Sequence, residues 1–182
     1  MKNFVKKFFM AVALFATIFS ASSASASDIE LSDMEFATFA AELQKNLLDK
    51  SLQINDLKRT PEDDVTADKI KTYAWQAVIV SKENSADVAK VNFATDNENK
   101  VAFIALVIKT GVNQEIICND FWDAALTALN FTEDERNKLL KGGTTNKDGL
   151  YNSKLRRSQK EKFSFGIAVF PDKRWFVTFG KN

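Results

Sequence analysis

The chain has no histidine and one cysteine, Cys118, among its 182 residues. Without an imidazole, neither a Ser-His-Asp nor a Cys-His nucleophile pair can be assembled. His-rich zinc sites are excluded on the same ground, and one thiol is too few for a thiolate zinc cage. No side chain titrates near neutral pH by default, so acid–base chemistry would need a strongly shifted carboxylate or lysine. A disulfide within the chain is impossible, so stability must come from packing unless the chain dimerises through Cys118. Glycine is also sparse, at six residues. No glycine-rich phosphate loop is present, and Gly142-Gly143 reads as a helix stop. The inventory predicts no cofactor and no bound metal.

What is present begins with an export signal. Lys2, Lys6 and Lys7 form a positive start, an apolar run extends from Phe8 to Phe19, and Ala24-Ser25-Ala26 fits a peptidase site. Residues 1–26 are therefore read as a signal peptide, with cleavage before Ser27. The apolar run is about 12 residues, short of the roughly 20 that cross a bilayer. Residues 27–182 are then a single α+β domain, secreted or periplasmic.

Charge is unevenly spread along that domain. Residues 27–140 hold 12 basic and 21 acidic side chains, whereas residues 141–182 hold 10 basic and 3 acidic ones. Such a split suits either self-pairing, as in a homodimer, or a basic surface for an anionic partner.

The hydrophobic pattern predicts a helix beginning at Ser32, with Ser32-x-x-Glu35 as a capping box and Phe36, Phe39, Ala40, Leu43 and Leu47 on one face. Thr60-Pro61-Glu62-Asp63-Asp64 reads as a short second helix start or a polar loop. Three strands follow, at about 73–80, 88–94 and 101–108, with a turn at Asp96-Asn97-Glu98-Asn99. A further helix capped by Asn119 or Asp120 leads to a short one opened by the capping box Thr132-x-x-Glu135. Three more strands are expected at about 150–157, 162–170 and 174–179, with Pro171-Asp172-Lys173 turning the last hairpin.

The fold class is thus α+β, an antiparallel sheet of about six strands with helices on one face. Both halves, 27–110 and 111–182, read as helix, short helix, three strands, so two α-α-β-β-β repeats are an option. Val91-Asn92-Phe93-Ala94 and Phe163-Ser164-Phe165-Gly166 echo one another 72 residues apart.

Candidate chemistry is limited. Cys118 lies just before the expected helix start at Asn119, a place that lowers thiol pKa values, but it reads better as a buried small hydrophobe. Glu62, Asp63 and Asp64, like Glu133, Asp134 and Glu135, are explained by helix starts. The Asp96 to Asn99 run lacks the spacing of a calcium loop. The strongest candidate site is basic: Lys154, Arg156, Arg157, Lys160, Lys162, Lys173, Arg174 and Trp175, with Phe163, Phe165, Phe170 and Phe176 interleaved. Protection of a sheet edge by charge, over a core of alternating aromatics, explains the same residues. As a site it would hold another protein or an anionic component of the cell envelope; nucleic acid is not expected of an exported, net acidic chain.

The function these readings favour is an exported, non-catalytic binding protein. One alternative is a carrier of a small apolar ligand or lipid between sheet and helix. Another is a hydrolase using carboxylates alone, which needs two acids facing each other across a cleft.

Overall fold

The computed structural model describes residues 29–67 and 70–181; the expected signal peptide and its cleavage site lie outside the described residues. The chain is an α+β structure, and its described residues form one antiparallel sheet of nine strands and three α-helices. The elements are α1 (Phe36–Leu48), β1 (Leu52–Arg59), β2 (Val65–Ala67), β3 (Ile70–Ser81), β4 (Asp87–Thr95), β5 (Val101–Ile108), α2 (Gln114–Ala128), α3 (Glu133–Lys141), β6 (Thr144–Thr145), β7 (Tyr151–Arg156), β8 (Lys162–Val169) and β9 (Trp175–Lys181).

The strands lie in the order β1-β3-β4-β5-β9-β8-β7-β6, with β2 paired to β3 off this path. The N-terminal half supplies one side of the sheet and the C-terminal half the other, and they meet where β5 pairs with β9. The six expected strands are all present. The three that sequence reading missed are β1, β2 and β6. β1 carries few apolar residues and is mostly exposed, so its pattern is too polar to announce a strand. β2 and β6 have three and two residues, too few to show any period.

Three helix expectations are corrected. The segment at Thr60, read as a short helix start or a polar loop, is a single 3-10 turn, Pro61–Asp63. It follows a strand, and Asp64 is committed to tertiary bonds: Oδ1 accepts from the Ala74 N–H at 3.0 Å and Oδ2 from Arg59 at 2.5 Å. Burial opposes ionisation of Asp64, but the Ala74 N–H and Arg59 outweigh it and hold the carboxyl below its usual range. The first half is therefore helix then strands, not α-α-β-β-β. Second, α1 starts at Phe36, not Ser32; the Ser32 hydroxyl accepts from the Met34 N–H, and Glu35 makes no side-chain cap. Third, α2 starts five residues before Asn119, where Asn113 accepts from the Ile116 N–H. Cys118 is therefore inside the helix, buried, and burial pushes its thiol up to about 12. The capping box at Thr132 is present, with Thr132 and Glu135 exchanging bonds at 2.9 and 3.4 Å.

One face of the sheet is covered. Phe36, Phe39, Leu43 and Leu47 of α1, with Phe121, Trp122 and Ala125 of α2 and Leu139 of α3, pack on the alternate strand residues Ala77, Ile79, Val91, Phe93, Ile104, Leu106, Phe163, Phe165, Val177 and Phe179. The packing is strongly aromatic: Trp122 meets Phe165 edge-on at 5.3 Å and Phe131 meets Phe163 at 5.0 Å. Ala105, Val107 and Phe176, with Phe103, Ala168 and Phe170, form a second, smaller cluster from the opposite parity of the same strands. No described helix packs on that second face.

Candidate functional site

The expected basic site is divided by the fold. Lys154 and Arg156 on β7, Lys160 in the following turn, and Lys162 on β8 gather at one end of the β7–β8 hairpin. Lys173 and Arg174 sit in the β8–β9 turn, at the other end of β8. Eight residues of strand separate the groups, about 25 Å.

Three members of the expected set have other tasks. Arg157 closes a bidentate ion pair on Glu135, both contacts 2.6 Å, and its guanidinium lies 4.0 Å over the Phe131 ring. The Arg157 contact pulls the Glu135 carboxyl down to about 2, while the same bond raises Arg157 further. Arg157 thus fastens the start of α3 to the β7–β8 turn. Arg174 pairs with Asp172 at 2.6 Å and lies over Phe170. Trp175 is half-buried against the helix-covered core, so it belongs to the opposite face from the lysines. Trp75 does too, with its ring 4.7 Å from Phe36, whereas Phe176 and Thr178 lie on the helix-free face.

Of what remains of the basic set, Lys154, Arg156 and Lys162 fall on the helix-free face, while Lys160 and Lys173 stay in the turns. Lys154, Arg156 and Lys162 are exposed and alternate with the core residues Ser153, Leu155 and Phe163. Two cations that sequence reading missed join them there: Lys90 on β4, register partner of Val107, and Lys58 on β1, partner of Gln76. Lys90 is a single lysine in an otherwise apolar strand and Lys58 lies in a polar one that did not read as a strand, so neither belonged to a cluster. Their period-2 position was the available signal.

A row of residues runs across this face through consecutive register pairs: Gln76, Asn92, Ala105, Thr178, Gly166 and Asn152. Gln76 donates to Asn92 at 3.0 Å. Beside Gly166 is a hollow of about 20 Å³, edged by Asn152, Ala168, Phe176 and Thr178, room for about one water or methyl group. The row has apolar flanks, with Val78, Val107 and Phe176 on one side and Phe103 on the other. Phe103 leans over Gly180: a Cβ there would lie 3.0 Å from its ring. Glycine at 180 therefore leaves room for the edge of that ring.

Charge sorts with the layers. β3, β4, β5, β7, β8 and β9 contain one acid, Asp87, at the rim and paired with Lys109 at 3.5 Å. The acids cluster on the helices: Glu42, Glu115, Asp120, Asp123, Glu133, Asp134 and Glu135. Asp123 joins the helical layer together, bonding Lys50 at 3.1 Å and Arg136 at 2.9 Å. Burial works against it, yet these two cations hold its carboxyl below the usual range.

The carboxylate-only hydrolase asked for facing acids. Glu30 and Asp96 come together, and burial, followed by the neighbouring Asp96 side chain, raises Glu30. Both are buried, at 8% and 0% exposure. Asp96 Oδ1 accepts from the Glu98 and Lys100 N–H groups at 2.9 and 2.8 Å. Lys100 reaches Glu30 at 3.4 Å and Glu98 at 3.1 Å. The pair clasps the segment before α1 to the β4–β5 turn and presents no carboxylate to a cleft. The interior between sheet and helices, where a carried ligand would sit, is occupied by Phe39, Phe93, Trp122, Phe165 and Phe179, each at most 2% exposed.

Among the described residues no group of three or more metal-binding side chains occurs, and no helix is long and apolar enough to cross a membrane. No family model, curated protein or solved structure matches the chain.

Proposed function

We propose that this chain is an exported, non-catalytic binding protein that recognises an anionic partner through the helix-free face of its sheet. The observation that carries the reading is the sign of the charge there. Lys58, Lys90, Lys154, Arg156 and Lys162 project from that face, and none of them makes an ion pair among the described residues. Arg156 and Lys162 are direct register partners, and like charges directly opposite one another destabilise a sheet. Arg156 Nε donates to the Ser158 carbonyl at 3.2 Å, but no carboxylate among the described residues neutralises either cation, and an anion from outside accounts for the arrangement. The signal-like start of the sequence, Lys2 to Ala26, supports export.

The same charge argues against a homodimer formed sheet to sheet, which would set these cations against their own copies. Arg157 is not part of the surface, because removing it breaks a structural ion pair.

The test uses polyglutamate as the anionic probe and titrates the chain against it at several salt concentrations. The expected result is binding that weakens steeply with salt, and that the triple variant Lys154→Glu, Arg156→Glu, Lys162→Glu weakens about tenfold or more. Equal affinity of the triple variant would reject the surface. Export is tested separately by N-terminal sequencing of the exported protein, which should begin at Ser27.

A further inference from the structure

Resting on that reading, we propose that the anionic partner of the helix-free face is a linear acidic polysaccharide, seated on the polar row that crosses the strands. The row ends at Asn152 on β7 and starts one strand beyond Gln76, because Lys58 of β1 is the register partner of Gln76. It spans six strand steps, about 29 Å at about 4.8 Å per step. The seat is polar, not apolar. Ala105 and Phe176 are buried, at 1% and 3% exposure, and offer a partner no open apolar area. What reaches solvent along the row is Lys58, Gln76, Asn92, Gly166 and Asn152.

Uncharged hydrogen-bonding groups along the row call for hydroxyls in the ligand. Gln76 and Asn92 bond each other once, through the Gln76 amide nitrogen and the Asn92 carbonyl. That leaves the Gln76 carbonyl and the Asn92 amide nitrogen without a partner among the described residues. The side chains of Asn152 and Thr178 make no hydrogen bond among the described residues, and both edge the hollow beside Gly166. A Cβ on Gly166 would lie 3.4 Å from Asn152 Oδ1 and 3.5 Å from Thr178 Oγ1, so these two oxygens flank the glycine from the strands on either side of it. A sugar hydroxyl in the hollow donates to Asn152 Oδ1 and accepts from the Thr178 hydroxyl.

The cations are placed for a chain lying along this row. Lys58 closes one end. Lys90, two residues from Asn92, and Lys154, two residues from Asn152, flank it on opposite sides. Charges at the margin with neutral polar groups between them match a polymer that carries acid groups on a hydroxyl-bearing backbone. An acidic peptide would satisfy the cations and leave Asn152 and Thr178 unmet. Single-stranded nucleic acid needs aromatic faces that stand open for stacking, and here Phe103 lies against Gly180 while Phe176 is stacked on Phe170.

The experiment titrates the chain calorimetrically with polygalacturonate, which carries carboxylates, and with heparin, which carries sulfates as well. Polyglutamate and neutral dextran are the comparisons. At least one acidic polysaccharide is expected to bind about tenfold or more tighter than dextran, and the preferred one identifies the acid group. Asn152→Ala and Thr178→Val together are expected to weaken it about tenfold and to leave polyglutamate binding unchanged. Gly166→Ala puts a methyl group into the hollow with no contact closer than 3.4 Å, and is expected to weaken the polysaccharide severalfold. Asn152 is exposed, so Asn152→Ala alone keeps the test valid if the double variant misfolds.

Two acidic polysaccharides that bind no tighter than dextran would overturn the polysaccharide seat. So would variants at Asn152 and Thr178 that bind the polysaccharide as the parent does, or that weaken polyglutamate equally. If polyglutamate still responds to the triple reversal, the broader anionic reading survives that failure. If no anionic probe responds to the triple reversal, both fall.

Discussion

The two faces of one sheet have been put to different uses. On the helix-covered face the strands contribute Ile79, Val91, Phe93, Ile104, Phe163, Phe165 and Phe179, and the helices close over them. On the other face the same strands, one residue out of step, contribute Gln76, Lys90, Asn92, Ala105, Lys154, Ser164 and Gly166. Each strand therefore carries two messages at period two, one that folds the chain and one left over. The difference shows that the stability of this chain and its surface chemistry are separable by residue parity, which makes the comparison open to mutation.

The largest contrast should come from truncating one aromatic on each face. Phe39 is fully buried and rings Phe36 and Phe93 at 6.3 and 5.7 Å. Phe39→Ala should cost about 3–5 kcal/mol, the usual range for emptying an aromatic site in a core. Phe103 is half-buried on the helix-free face, and Phe103→Ala should cost about 1 kcal/mol. Urea unfolding of both variants measures the pair. Equal losses would mean that the second face is as much a core as the first.

Next in size is Arg157, which sequence reading assigned to the binding surface and the fold assigns to a partly exposed contact between α3 and the β7–β8 turn. Arg157→Ala removes the Glu135 pair and the cover on Phe131, and should cost about 2 kcal/mol. It should also alter the acid limb of stability. Glu135 is depressed from 4.5 to about 2 in the folded state. The stabilisation it gives is complete above its unfolded value and is lost as pH falls from about 4.5 to about 2. In Arg157→Ala that part of the pH dependence should flatten, by about 1–2 kcal/mol across the window once solvent screening of a partly exposed pair is allowed for. An unchanged acid limb would detach Arg157 from the fold and return it to the binding surface.

How much of this was legible in the sequence follows from which signals are local. The strand period of Val101 to Ile108 and the cap at Thr132 depend on residues within one element, and both are found where the pattern put them. The basic residues near the C-terminus were also visible as a run. Their division was not, because a run in sequence becomes two clusters when a strand of eight residues lies between them. Arg157 and Arg156 are adjacent in sequence and equal in charge. Only the approach of Glu135 from 22 residues away separates the ion-paired cation from the one without an ion pair. Lys90 lay outside any run and was brought to the face by register alone. The strand at Leu52 went unread because it is an edge, where solvent permits polar residues on both sides.

A smaller effect should appear at the clasp beside α1, on the helix-covered side. Glu30 is raised, first by burial and then by the Asp96 side chain, with Lys100 opposing. A group raised in the folded state stabilises fully below its unfolded pKa, and that contribution is lost as pH rises through the folded value. The Leu31 and Phe36 amides, which donate to Val101 and Asn99 at 2.7 and 2.8 Å, should therefore exchange hydrogen more slowly relative to the intrinsic rate at mildly acid pH than at neutral pH. Glu30→Gln, neutral throughout, should remove that dependence, worth about 1 kcal/mol. A dependence that persists in Glu30→Gln would place its source elsewhere.

The smallest effect on stability is the most informative about the second face. Lys162 faces Arg156 directly across the β7–β8 ladder. If the two cations are held together only by the demands of a partner, then Lys162→Glu converts a repulsive cross-strand pair into an attractive one. It should raise stability by about 0.3–0.5 kcal/mol, while in the polyglutamate titration the same single change weakens binding severalfold. Gain on one axis and loss on the other is what a surface kept for recognition predicts. A purely edge-protecting charge predicts something else, since glutamate guards an edge as well as lysine does: no loss of binding and no opposed pair of effects. Urea midpoints and anion titrations on Lys162→Glu therefore decide between the two explanations of the basic hairpin with one substitution.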